Sequence, residues 1–119
     1  MNVESYTHFC LQQPGATASF PFDKHTLVFK VMGKIFTLAS IFPFERLNVK
    51  CDPEKAIALR EAYPSVLPGY HMHKKHWNTI LINQELTDHQ IFEWIKDAYW
   101  LVVNQLPQKT KKALSTQNK

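Results

Sequence analysis

Between positions 87 and 106 the apolar residues Ile91, Ile95, Ala98, Tyr99, Val102 and Leu106 recur at steps of three and four, which places them on one face of a helix. Thr87 and Gln90 have the spacing of a capping box, in which each side chain satisfies an N–H group at the other's position. Pro107 ends the pattern. A helix of this length extends about 30 Å, enough to cross a whole sheet. Its single apolar face must be buried against another layer, so the rest of the chain has to supply one.

Residues 26–31 and 34–41 are dense in β-branched and aromatic side chains and flank Met32-Gly33, which reads as the tight turn of a hairpin. Residues 46–51 alternate, sending Leu47, Val49 and Cys51 one way and Arg46, Asn48 and Lys50 the other, as in a strand with one wet face. Residues 77–82 give a further strand. A first helix over 3–12, capped by Asn2, turns Val3, Tyr6, Phe9 and Cys10 inward and stops at Pro14-Gly15. Asp52-Pro53-Glu54 starts another, with Asp as cap and Pro at the first helical position; it carries Ala56, Leu59, Ala62 and Tyr63 and ends at Pro64. Residues 65–75 read as a loop.

The expected order is α-β-β-β-α-β-α. Consecutive strands joined by short turns make the sheet antiparallel, and the class α+β, with helices on one face and the other face partly free for a partner. One domain is expected over residues 1–107, followed by a flexible basic tail over 108–119.

No apolar run reaches the roughly 18 residues of a membrane-spanning helix, and the amino terminus has neither the basic region nor the apolar stretch of a signal peptide. Cys10 and Cys51 do not make a disulfide framework; both read as reduced, buried thiols of a cytoplasmic protein. There is no Gly-x-Ser-x-Gly elbow, and Gly15, Gly33 and Gly69 are too scattered to cradle a phosphate. Asp52 and Glu54 are accounted for by helix capping. The reading is a binding module with no cofactor, not an enzyme.

The segment PGYHMHKKHWN at 68–78 sets three His and two Lys beside Tyr70 and Trp77 without one acidic residue. Lys can pair with phosphates, His and Asn can hydrogen-bond to them, and Tyr or Trp can stack on bases or wedge between them. The plainer alternative is that Tyr70 and Trp77 are core residues and the lysines keep a loop soluble; the exposure of Trp77 separates the two. His71, His73 and His76 could in principle hold zinc, but no acid or Cys accompanies them, two ammonium groups oppose a dication, and the spacing matches no zinc signature. Lys30, Lys34, Arg46 and Lys50 add cations on the strands, and the net charge of +4 permits a polyanionic partner without requiring one.

The stretches PF at 21–22, TLVFKVMGKIF at 26–36, LNVKCDPE at 47–54, LREAY at 59–63, PGYHMHKKHWNT at 68–79 and AYWLVVNQL at 98–106 resemble the YjbR, or MmcQ-like, family of small bacterial proteins over nearly the whole chain. The resemblance implies a frataxin- or CyaY-like α+β fold and DNA binding through a "double wing". Carried over by position, it points to Lys34, Lys50, His71, Lys74, Lys75, His76 and Trp77. Where the family usually has Asn, this chain has His73, which argues against a three-His metal site common to the family.

The expectation is therefore a small regulatory DNA-binding protein, with a monomer favoured. Lys34, Arg46, Lys50, Lys74 and Lys75 would contact phosphates, and Tyr70, His71, His76 or Trp77 would approach the groove or bases. The alternatives are a non-catalytic domain binding a protein or small anionic ligand, and iron handling suggested by the fold alone.

Overall fold

The computed structural model describes residues 1–70 and 72–117. Its elements are α1 (Val3–Leu11), β1 (Ala16–Ser19), β2 (Thr26–Val31), β3 (Lys34–Ser40), β4 (Arg46–Lys50), α2 (Pro53–Ala62), β5 (Val66–Pro68), β6 (Trp77–Leu81), α3 (Asp88–Asn104) and α4 (Gln108–Gln117). The strands form one six-stranded sheet in the order β1-β2-β3-β4-β6-β5, and every neighbouring pair is antiparallel. No helix among the described residues is long and apolar enough to cross a membrane.

The three expected helix starts are all present. Asn2 accepts from the Ser5 N–H at 2.8 Å, Asp52 from that of Lys55 at 3.2 Å, and Thr87 exchanges hydrogen bonds with Gln90 at 3.1 and 2.9 Å. The α3 face of Ile91, Ile95, Ala98, Tyr99, Val102 and Val103 is buried, mainly against β3 and β4. The sheet meets it with Phe29, Phe36, Leu47, Val49 and Ile80, all in the same core. A bulge admits Phe36: the β2–β3 register passes from Phe29↔Thr37 to Lys30↔Ile35, so Phe36 is an extra residue on β3. Phe36 then reaches Tyr99 edge-on at 5.5 Å, while Thr37 meets Tyr6 of α1.

Three elements lie beyond the seven expected. β1 and β5 are short edge strands; Ala16–Ser19 buries almost nothing, and β5 holds one buried residue, Val66, before Pro68. The tail expected to be solvated is helical through Gln117, because Leu114 reaches the core and gives α4 a buried anchor. Met32 and Gly33 both have positive φ, 49° and 81°, the backbone of a two-residue hairpin turn.

Opposite the helices the sheet has a second, smaller apolar cluster, in which Val28, Leu38 and Trp77 are packed with Ile35 and Met72. A polar chain links the two sides. Thr37 Oγ1 donates to the Asn48 carbonyl at 2.7 Å, so the Tyr6 hydroxyl, 2.9 Å away, is the donor in their shared bond. On the open face Thr79 Oγ1 donates to Asn48 Oδ1 at 2.6 Å and accepts the Tyr70 N–H at 2.8 Å.

Candidate functional site

The pairings Val31↔Lys34, Lys50↔Trp77 and Pro68↔Asn78 bring the β2–β3 turn, the end of β4 and the β5–β6 connection to one end of the sheet. Lys34, Lys50, Lys74, Lys75 and His76 therefore share that end, although they are far apart in sequence. Lys34, Lys74 and Lys75 are exposed; Lys50 is half-buried because it lies over the indole of Trp77, its Nζ 5.5 Å from the ring centroid. None of these four lysines pairs with a carboxylate among the described residues.

His76 registers the local field. Lost hydration, and then the nearby His73, Lys50 and Lys75, push its pKa below the ordinary 6.5, against a weaker pull from Asp52. The His73 and His76 rings are 5.1 Å apart. His71 lies outside the described residues, and among those described no group of three His, Cys, Asp or Glu side chains could hold a metal ion. Both Cys10 and Cys51 are buried, and burial raises both thiols above their ordinary pKa, away from nucleophilic use.

Two sequence-derived assignments change. Trp77 is only 8% exposed, so it offers bases no free face; it clusters with Val28 and Leu38, and the loop residue Met72 and Ile35 of β3 pack against that cluster. It supports the site from beneath. Arg46 does not join the lysines. It pairs with Leu81 at the far end of β4, and its guanidinium lies 5.6 Å from the centroid of the Tyr70 ring. Tyr70, at 59% exposed, is the aromatic side chain of the segment that faces outward.

Arg46 and Tyr70 border a groove of about 640 Å³ on the helix-free face. Leu38, Ile35 and Asn48 line it, Phe22 and Met72 contribute apolar surface, and Asp23 and Glu45 add two carboxylates. Asp23 accepts from the N–H groups of His25 and Thr26 at 2.8 and 2.7 Å, which hold its carboxyl below the ordinary range and keep it anionic.

The residues that hold the loop are not apparent from charge. Arg60 of α2 donates through Nε to Asn78 Oδ1 at 2.7 Å and through its guanidinium to the Lys74 carbonyl; fully buried Asn78 donates onward to the Ala56 carbonyl at 3.2 Å. This ties the lysine-bearing connection to helix α2. The readable signal is an Asn among the apolar residues of a central strand, where a buried amide needs partners. Gly69 is required by close approach, since a Cβ there would lie 2.8 Å from that of Trp77.

The YjbR family model matches residues 11–101. The chain is 37% identical over 112 residues to YbdF of Escherichia coli O157:H7, covering 92% of this chain and 90% of that protein. It is 30% identical over 115 residues to YjbR of Escherichia coli K12, covering 96% and 98%. Among solved structures it is similar to the Deinococcus radiodurans protein DR2400, with a TM-score of 0.89 at 34% identity over 96% of this chain and 88% of that one. A Pseudomonas syringae protein follows at a TM-score of 0.71 and 26% identity, covering 85% and 98%.

Proposed function

The chain belongs to the YjbR family, and from that premise we propose that it is a non-catalytic, regulatory DNA-binding protein working through the cationic end of its sheet. The observation that carries this is the convergence of two hairpins. The β2–β3 turn brings Lys34, the β5–β6 connection brings Lys74 and Lys75, and Lys50 lies on the strand between them. Two hairpins at one end of a sheet fit a double-wing arrangement. Ammonium groups without carboxylate partners can neutralise phosphates and release their counterions.

Fluorescence anisotropy with duplex DNA over a salt series tests the reading. Contact by these four lysines gives a log–log slope of roughly −3 to −4, at about −0.9 per phosphate. Affinity independent of salt, or no binding at low salt, refutes it.

His76 adds a pH dependence. In the free protein its surroundings favour the neutral imidazole. A phosphate entering the cluster favours the imidazolium, so the complex holds more proton than the free protein, and lowering the pH favours the complex. Affinity is expected to rise as pH falls from about 7 to about 6, with the His76 imidazole titrating higher by NMR when DNA is present. An unmoved titration would place His76 outside the contact.

A second reading, a non-catalytic domain that holds a protein or a small anionic ligand at the same cations, draws on the burial of Trp77. Inorganic phosphate that shifts the His76 resonance, with no DNA affinity at moderate salt, would favour it.

A further inference from the structure

The DNA-binding reading accounts for the lysines and leaves the groove on the helix-free face without a role. We propose that this groove takes an unpaired nucleobase of the bound DNA, so that the protein prefers single-stranded or unpaired sites to plain duplex. The inference rests on the DNA-binding reading and adds the form of the ligand.

The lining chemistry separates base from phosphate. With Arg46 against Asp23 and Glu45, the groove carries two acids to one base and is a poor place for a phosphate. It suits a neutral planar ring with donors and acceptors at its edge. Leu38 and Ile35 give an apolar floor, Arg46 can reach ring edges, and Tyr70 supplies an outward aromatic face backed by the Arg46 guanidinium. Base–aromatic stacking tolerates any sequence, because every base has a π-face. A volume of about 640 Å³ is within the range of small-molecule sites.

The groove also borders the cationic end. Ile35 lines both it and the neighbouring cleft formed with Gly33, Lys34, Lys50 and Trp77. Along β4, Asn48 in the groove is two residues from Lys50, about 7 Å at strand rise. A strand whose phosphates lie on Lys34 and Lys50 can thus turn a base over Leu38. In duplex DNA the bases are stacked and paired, and present no free ring to this wall.

The experiment compares three labelled DNAs by anisotropy: an oligothymidylate, the same strand with abasic positions, and a duplex of equal length. The unaltered protein is expected to bind the thymidylate about tenfold or more tighter than the abasic strand. Tyr70→Ala should erase that difference. Tyr70→Phe, which keeps the ring, should retain it. Lys74→Glu/Lys75→Glu should weaken all three DNAs. If the abasic strand binds as tightly as the intact one, or Tyr70→Ala weakens all three DNAs alike, the base groove is wrong while the DNA reading stands. If no DNA binds at low salt, both fall.

Discussion

Lys74→Glu/Lys75→Glu is expected to weaken duplex binding by about a hundredfold or more and to flatten the salt slope by about two units. Both side chains are exposed on the β5–β6 connection and pair with no carboxylate among the described residues, so their full charge faces an approaching phosphate. A hydrogen bond to a charged group contributes about 1.5–3 kcal/mol. Two lost contacts therefore amount to about 3–6 kcal/mol, at 1.4 kcal/mol per tenfold in affinity, and reversed charge adds repulsion. Each lysine removed from phosphate contact lowers the salt slope by about one. Thermal melting should hardly move, since exposed side chains away from special backbone geometry change stability by about 0.5 kcal/mol or less. A variant that binds as tightly as the parent, with its melting unchanged, would remove the DNA-binding reading.

Asn78→Ala is expected to cost about 2–4 kcal/mol of unfolding free energy, measured in urea or by thermal melting. Asn78 is fully buried and satisfies two groups at once, accepting from Arg60 and donating to the Ala56 carbonyl. Truncation leaves a cavity, an unsatisfied carbonyl and a guanidinium short of one acceptor, and each unmet buried group costs about 1–3 kcal/mol. Asn78→Asp keeps the acceptor for Arg60 and should be the milder change. Because Arg60 also holds the Lys74 carbonyl, Asn78→Ala should speed amide hydrogen exchange in residues 72–76. A loss below about 0.5 kcal/mol with unchanged exchange would show that the loop is held by something else.

What could be read from the sequence was local. Caps at Asn2, Asp52 and Thr87 and the inward phase of Leu47, Val49 and Cys51 depend on residues within one turn or one strand, and the structure has them. β1 and β5 carry too little apolar surface for a pattern, and α4 depends on one anchor, Leu114. The site was harder, because its membership is set by register between distant strands. Arg46 and Lys50 alternate alike in sequence, yet four residues of strand place one beside Tyr70 and the other beside Trp77. Whether Trp77 or Tyr70 faced outward turned on long-range bonds, the Gly69 N–H to the Trp77 carbonyl and the Tyr70 N–H to Thr79 Oγ1. Arg60 had no local signal, since its partners come from the loop and from β6.

The hydrogen bonds that meet at Asn48 bear on how many ways this chain can pair its strands. Thr37 of β3 binds its carbonyl and Thr79 of β6 binds its side chain. Sliding β4 by one residue past either neighbour would turn Asn48 toward the helices and Leu47 toward water, and would break both bonds. Apolar residues alone could tolerate several alignments; one asparagine between two threonines admits one. Misaligned folding intermediates are thereby penalised at the centre of the sheet, where an error would propagate to both hairpins.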